Sequence, residues 1–551
     1  MMYKNGGKKG IAPTLAFEPM SSANHILIHA SPSWGHNKPV AALAVFLTRA
    51  RPDITITIFT TGLLYSKFMQ EIESKLTSEE FNMVMTRVYV IDIAGPKVHP
   101  LAPLPSFKSA YTALYKGETI ICVSSGKTFD YSNVPRVSAA IIDHFSGYAY
   151  DDIRLVSKKD VPVISFISSP AAANIQFFGP KKVGGIAPAE METEEGRKKA
   201  KIELYAILNA IASKPFDLSS MLKSTHPSNA PGEVASYDPD EFEIIQIPGV
   251  PPMYTHEASP QASLPITSIV ERLCQIYTPA GDAVIIVSNA TYDGKTLDAL
   301  KNWLEKPVYA LGPLTLPTPK AQADNSNIAV TDFLNKMHTS FGDRSLVYIS
   351  FGTFFIPSDV EKVWTAIGAL VASKTPFIFA HASPLFQLTE EKKAWINNSG
   401  VGLELSWSPQ QLVLGHKVTG WFLTHGGWNS IMEAFESKIP LIIWPINGDQ
   451  PFNAANLSLN HKAAFELIEV RSGENGTKPL LRFKNTGYTP SFTIEGVRKE
   501  FEGVLAKIKG EEGQLVRSNF ERLADEMANN WQGGESEKNF NAFLTKFVDS
   551  K

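Results

Sequence analysis

From His25 onward the chain alternates short β-branched and aliphatic runs with amphipathic stretches, the pattern of a parallel α/β sheet. In the first half the runs are His25–Ala30, Ile54–Thr60, Arg87–Ile93, Ala139–Asp143, Val163–Ser168, Ala283–Asn289 and Val308–Leu311. Val40, Leu43, Phe46 and Leu47 fall at helical spacing and predict a helix over Val40–Arg49. Gly312-Pro313 closes this half, and Pro317–Asn327, rich in Pro, Asn and Ala, reads as a linker. A second series runs through Leu346–Phe351, Phe377–Ala380, Gly402–Ser406, Gly420–Thr424, Leu441–Trp444 and Phe465–Val470.

The pattern predicts two doubly wound, Rossmann-like domains, 24–312 and 330–515, joined by a linker over 313–329. Residues 1–23 read as a flexible leader, and 179–247, polar and Pro-rich, as a variable insertion. After Gly533-Gly534, the spacing of Phe540, Phe543, Leu544 and Phe547 predicts an amphipathic helix within a C-terminal helical segment, 516–551.

A length of 551 residues is too great for one ordinary core, which agrees with two domains. Hydrophobic residues are 44% and charged residues 19%, so disorder is excluded. A net charge of −3 with no basic cluster argues against nucleic acid as a partner. Cys122 and Cys274 are too few and too far apart for a disulfide framework or a thiolate metal site. The most apolar stretch, Val161–Phe178, is interrupted by Pro162, Pro170 and Asn174, so a core segment rather than a membrane span is expected. A cytoplasmic monomer is the expectation.

The densest chemistry lies between Trp407 and Gln450. Gly426-Gly427 turn out of a strand into a helix that starts near Trp428 and carries Asn429, Ser430 and Glu433. The free N–H groups and positive end of such a helix suit a diphosphate, and glycines let the backbone approach closely. His425, Asn429 and Ser430 can donate hydrogen bonds to the same oxygens, and Glu433 can accept from ribose hydroxyls. Trp407 offers a flat face to a base, with Ser408 and Gln410 beside it for the base edge. Asp449 and Gln450 end the stretch with groups that pair with sugar hydroxyls.

Taken together, the Trp, Pro-Gln, His-x-Gly-Trp-Asn-Ser, Glu and Asp-Gln positions resemble the signature box of the family 1 UDP-dependent glycosyltransferases. The resemblance implies a GT-B fold, two Rossmann-like domains facing across a cleft with the last helix packed back on the first domain. It assigns UDP binding to Trp407, Ser408, Gln410, His425, Gly427, Asn429, Ser430 and Glu433. It assigns the sugar, glucose by the final Gln, to Trp428, Asp449 and Gln450. Ser350-Phe351-Gly352-Thr353 resembles the family's Ser-Phe-Gly-Ser segment and adds Gly352 and Thr353 to the phosphates. Lys438 stands where the family usually has Gly, and a left-handed helix stop there would cost about 1 kcal/mol.

Transfer to a hydroxyl needs a base. Ser31 to Pro39 follows the first strand, at the sheet end where ligands bind. His36 there has a pKa suited to the task and resembles the family's catalytic His in its Gly-His-x-x-Pro setting. Asp143 ends a strand and resembles the Asp that pairs with it, with His144 and Asp151 as alternatives. One base and no nucleophilic carboxylate imply direct displacement with inversion. Asp238-Pro239-Asp240 is the kind of pair that holds a metal in another glycosyltransferase fold, but its polar, strandless setting reads as a turn. No metal and no cofactor are therefore expected, the partners being UDP-glucose as co-substrate and a small lipophilic hydroxylated acceptor. Two other readings stay open: a UDP-sugar epimerase or hydrolase on this scaffold, and a non-catalytic UDP-sugar-binding module.

Overall fold

A computed structural model describes residues 24–97, 101–212, 242–261, 267–316, 327–353, 355–383 and 386–549. The first sheet is built from β1 (Asn24–His29), β2 (Ile54–Thr60), β3 (Val88–Asp92), β6 (Ala139–Asp143), β7 (Val163–Ile167), β8 (Ala283–Ile286) and β9 (Val308–Ala310). A small antiparallel hairpin, β4 (Ile120–Ile121) with β5 (Thr128–Phe129), stands apart from it. The second sheet takes β10 (Leu346–Ser350), β11 (Phe377–Ala380), β12 (Gly402–Leu405), β13 (Thr419–Thr424), β14 (Leu441–Ile443) and β15 (Ala464–Glu466). Strands such as β2, β6 and β10 are buried at every residue, as expected where helices cover both faces of a parallel sheet.

Strand order places the candidate chemistry. The first sheet runs β3-β2-β1-β6-β7-β8-β9 and the second β12-β11-β10-β13-β14-β15. Each reverses direction once, between β1 and β6 and between β10 and β13, and ligands of open α/β sheets bind outside the strand ends at such points. His36 follows β1 and Asp143 ends β6, while Gly352 follows β10 and His425 follows β13. The two reversal points are thus occupied by the two groups of residues singled out in the sequence.

The chain's end crosses back to the first sheet. Phe543 and Leu544, on the helix Glu535–Phe547, are fully buried, and Phe543 meets Tyr309 of β9 with ring centroids 5.6 Å apart. Ser536 Oγ donates to the Gly312 carbonyl at 2.6 Å, and Arg51 pairs with Asp549 at 2.6 Å. Beyond the insertion, the stretch 256–261 lies against the second domain: Gln261 Nε2 donates to the Pro445 carbonyl at 3.1 Å and Ser472 N to the Pro260 carbonyl at 3.0 Å.

Some local expectations change. The helix expected over Val40–Arg49 spans Trp34–Ala50, so His36 lies in its first turn rather than in a loop. Pro39 is accommodated inside the helix. The short β4–β5 hairpin carries too little periodicity to be read in advance. Lys438 does adopt the left-handed conformation, at φ 54° and ψ 38°. The linker expected over Pro317–Asn327 and the turn expected at Asp238-Pro239-Asp240 lie outside the described residues, apart from Asn327. No helix among the described residues is long and apolar enough to cross a membrane.

Candidate active site

His36 and Asp143 form the first half of the site. The chain turns after β1 through Ser31 to Ser33, where Asn37 Nδ2 donates to the Ser31 and Ser33 carbonyls at 2.7 and 2.8 Å. This fixes the helix entry and sends the His36 ring over the end of β6. His36 Nδ1 lies 2.6 Å from Asp143 Oδ2, and the Ser168 hydroxyl is 3.2 Å from the same nitrogen. Asp143 is wholly buried and also accepts from the Ser31 and Phe145 amides, both at 3.0 Å. Three donors on one carboxylate hold it ionised and fix its orientation. Burial pushes its pKa up, but His36 and these donors outweigh that and hold it below the usual value.

The His36 imidazole is pushed down by burial, and the Asp143 charge and hydrogen bond, with Asp449 across the cleft, more than reverse that. Its pKa is therefore raised. A hydrogen bond at Nδ1 leaves Nε2 as the free ring nitrogen, the arrangement a general base needs. The ring lies 4.5 Å from Phe145, centroid to centroid. His144 faces Thr278, 2.9 Å away, with burial pulling its pKa to about 4, and Asp151 binds Lys201 at 2.5 Å. Neither alternative partner reaches His36.

The second half is built around the helix Trp428–Ser437. Its N-cap is Gly427, which has no side chain to cap it; the first amide, Trp428 N, donates to Asp449, and the first-turn amides beyond it suit an anion. The His425 ring sits between the two glycine turns. A Cβ at Gly352, whose φ is +77°, would lie 2.9 Å from His425 Cε1, and one at Gly427 would lie 2.4 Å from Nε2. Only glycine leaves room for the imidazole at both places. Burial pulls the His425 pKa to about 4, so the ring is neutral near pH 7 and donates through a single N–H. Thr353 follows Gly352 at the same edge, and Ser430 is buried in the helix's first turn.

Three expected ligand groups are already engaged. Pro39 lacks an N–H, so the carbonyl of Gly35 four residues before it has no helical partner. Asn429 Nδ2 donates to that carbonyl at 2.6 Å, across the cleft. One hydrogen of the amide expected at the phosphate is therefore engaged with the first domain. The Trp428 indole is the second: it is buried among Tyr292 and Phe435 and donates to the Val287 carbonyl at 2.5 Å. Its side chain braces the two domains and offers the sugar no hydrogen bond. Gln450 Oε1 accepts from the Ile446 and Asn447 amides at 2.9 and 3.0 Å, so its carbonyl shapes the loop after β14.

Asp449 lies at the cleft, where its carboxylate accepts from the Trp428 amide at 3.2 Å and Asn453 Nδ2 at 2.8 Å. Burial raises its pKa to about 6. At the other end Trp407 is 54% exposed, enough to present a ring face to a base. Gln410 accepts from the Tyr348 hydroxyl at 3.1 Å and donates to Glu433, while Ser408 is buried with its hydroxyl unpaired. Two first-domain residues went unread in the sequence. Lys38 pairs with Glu433, and Lys67 places its ammonium 4.8 Å from the Trp407 ring centre. Lys38 stands at an open position of the Gly-His-x-x-Pro segment, and only the fold shows that it faces the second domain.

Comparison with known proteins bears on the family and the fold. Residues 315–475 match the family described as UDP-glucuronosyl and UDP-glucosyl transferase. The chain is 26% identical over 539 residues to the UDP-glycosyltransferase eriJ of Hericium erinaceus, covering 93% of this chain and 96% of that one. It is 31% identical over 267 residues to myricetin 3-O-rhamnosyltransferase UGT77B2 of Crocosmia x crocosmiiflora, covering 46% of this chain and 50% of that one. Among solved structures, Medicago truncatula UGT71G1 complexed with UDP-glucose superposes with a TM-score of 0.63 at 18% identity, over 96% of this chain and all of that one. A Siraitia grosvenorii transferase in complex with UDP gives 0.60 at 16% identity, over 95% of this chain and all of that one.

Proposed function

This chain belongs to the UDP-dependent glycosyltransferases of family 1, an enzyme family of GT-B fold, and on that premise we propose that it transfers glucose from UDP-glucose to a hydroxyl of a small lipophilic acceptor. The acceptor is of phenolic, flavonoid or terpenoid type, the product is a β-glucoside, and no metal takes part. The observation that carries this reading is the His36–Asp143 pair, 2.6 Å apart, facing the glycine-led start of the helix Trp428–Ser437 across one cleft.

In this reading the acceptor O–H gives its proton to His36 Nε2 as its oxygen attacks the sugar's anomeric carbon. The bond from that carbon to the β-phosphate oxygen breaks in the same step, and UDP leaves. Attack opposite the leaving group converts the α-linked donor to a β-linked product. Asp143 keeps Nδ1 protonated and stabilises the imidazolium that forms. The negative charge growing on the leaving diphosphate is met by the helix end beyond Gly427, by Ser430 and by the single N–H of His425. A positive helix end does for the diphosphate what a divalent ion does elsewhere, which is why metal independence is proposed.

Asp449 sits where it can accept sugar hydroxyls, and as a carboxylate it disfavours the carboxylate of a glucuronate. Trp407, Ser408 and Gln410 serve the base and Glu433 the ribose. Activity with UDP-glucose, an added phenol and excess chelator tests the proposal: undiminished β-glucoside formation supports it, and an α-linked product or loss on chelation rejects it.

A further inference from the structure

Glu433, the carboxylate assigned above to the ribose, is nearly closed to solvent, with its side chain 7% exposed. One of its oxygens accepts from Lys38 and the other from Gln410. Gln410 belongs to the same domain, but Lys38 comes from the first domain, two residues after His36 on the same helix. Its ammonium is also 4.0 Å from Glu71. The neighbouring tie from Asn429 to the Gly35 carbonyl, 2.6 Å long, joins the same two helices.

A carboxylate oxygen accepts up to two hydrogen bonds, so Lys38 and Gln410 each leave one position open. Two open positions on one rigidly held carboxylate match the two hydroxyls of a ribose. A buried carboxylate without its cation would be costly to keep ionised, and its protonated form has fewer positions with which to accept. We propose that Lys38 is a positioning residue for the donor nucleotide: it holds Glu433 ionised and oriented for the ribose diol, so that the first domain completes the nucleoside site. Because Lys38 and His36 share one helical turn, closing that contact also sets the base relative to the donor.

This rests on Glu433 being the ribose ligand, and the test separates the two claims. UDP and 2′,3′-dideoxy-UDP are titrated calorimetrically into the wild type, Lys38→Met and Lys38→Arg. The wild type is expected to prefer UDP by about tenfold or more, since the hydroxyls meet a charged acceptor. Lys38→Met should lose most of that preference by weakening UDP while leaving the dideoxy compound nearly unchanged, and Lys38→Arg should restore it. A general structural defect would weaken both ligands alike, which would overturn the proposal. Equal or tighter UDP binding by Lys38→Met also overturns it, making Lys38 a bystander or a competitor for the carboxylate. If the wild type itself fails to discriminate, the ribose assignment of Glu433 falls, and the proposal with it. Should Lys38→Met not fold, Lys38→Gln carries the same expectations.

Discussion

Replacing Asp143 by Asn exchanges one carboxylate oxygen for an NH₂ and tests the whole base arrangement. In the wild type one carboxylate oxygen accepts from His36 at 2.6 Å and Ser31 N at 3.0 Å, and the other accepts from Phe145 N at 3.0 Å. An Asn has one oxygen and one NH₂, so the NH₂ must face an amide donor in either orientation. One buried N–H then loses its partner, at about 1–3 kcal/mol. If the NH₂ faces His36, it donates to Nδ1 and forces the proton onto Nε2, the nitrogen that must accept from the substrate.

Turnover should fall roughly 10²–10⁴-fold, no more than for His36→Ala, while UDP still binds. The double variant should be no worse than His36→Ala alone, because the two residues act as a unit. The pH profile gives an independent reading. Asp143 raises the His36 pKa against the effect of burial, so removing its charge should move the acidic limb of kcat/KM to lower pH. Stability should follow the same pair. His36, raised above 6.5, contributes stability fully present below that pH and lost as pH rises through its folded value. Asp143, lowered below 3.8, contributes stability present above that pH and lost as pH falls through its folded value. The difference between wild type and D143N in urea unfolding should therefore be largest between these two values. Full multiplicativity of the two losses in turnover, or an acidic limb that stays in place, would refute the reasoning.

Other consequences can be checked separately. Deleting Asn539–Lys551 exposes the surfaces under Phe540, Phe543 and Leu544, each worth about 1.5–3 kcal/mol when buried, and should lower the melting temperature of the first domain. Lys438→Gly relieves a left-handed lysine, worth about 1 kcal/mol, but removes an exposed pair with Asp525 worth roughly 0–1 kcal/mol. A net gain of less than about 1 kcal/mol is expected on chemical denaturation. Asp449→Ala should cost at least about tenfold in activity, measured as sugar transfer at saturating acceptor. Gln450→His should weaken glucose use, because an imidazole cannot accept from both the Ile446 and Asn447 amides, and a relative gain with UDP-galactose is expected in the same assay.

How far the chain could be read depended on what each residue needs from its neighbours. Most strands of both sheets were legible because they are buried on two faces and so appear as runs rich in Ile, Val and Phe. The turn into Trp428–Ser437 was legible because glycine is required where His425 packs against the backbone. The tie of the Trp428 indole to Val287 was not legible, since an indole beside a ligand site and one bracing a domain seam look alike until Val287 is placed. His36 was found, but its helical setting was hidden by Pro39, whose missing N–H the second domain exploits through Asn429. Lys38 could not be read at all, because its partner is 395 positions away. Contacts between domains leave no local periodicity.

The central claim is a metal-free transfer that uses His36 to activate an acceptor. Its most direct measurement is UDP release from UDP-glucose, with and without an added phenolic alcohol, by the wild type and His36→Ala. Acceptor-dependent release by the wild type is predicted. His36→Ala should lose roughly 10²–10⁴-fold of it and still bind UDP. Release that is equal without acceptor, or undiminished in His36→Ala, would contradict the account.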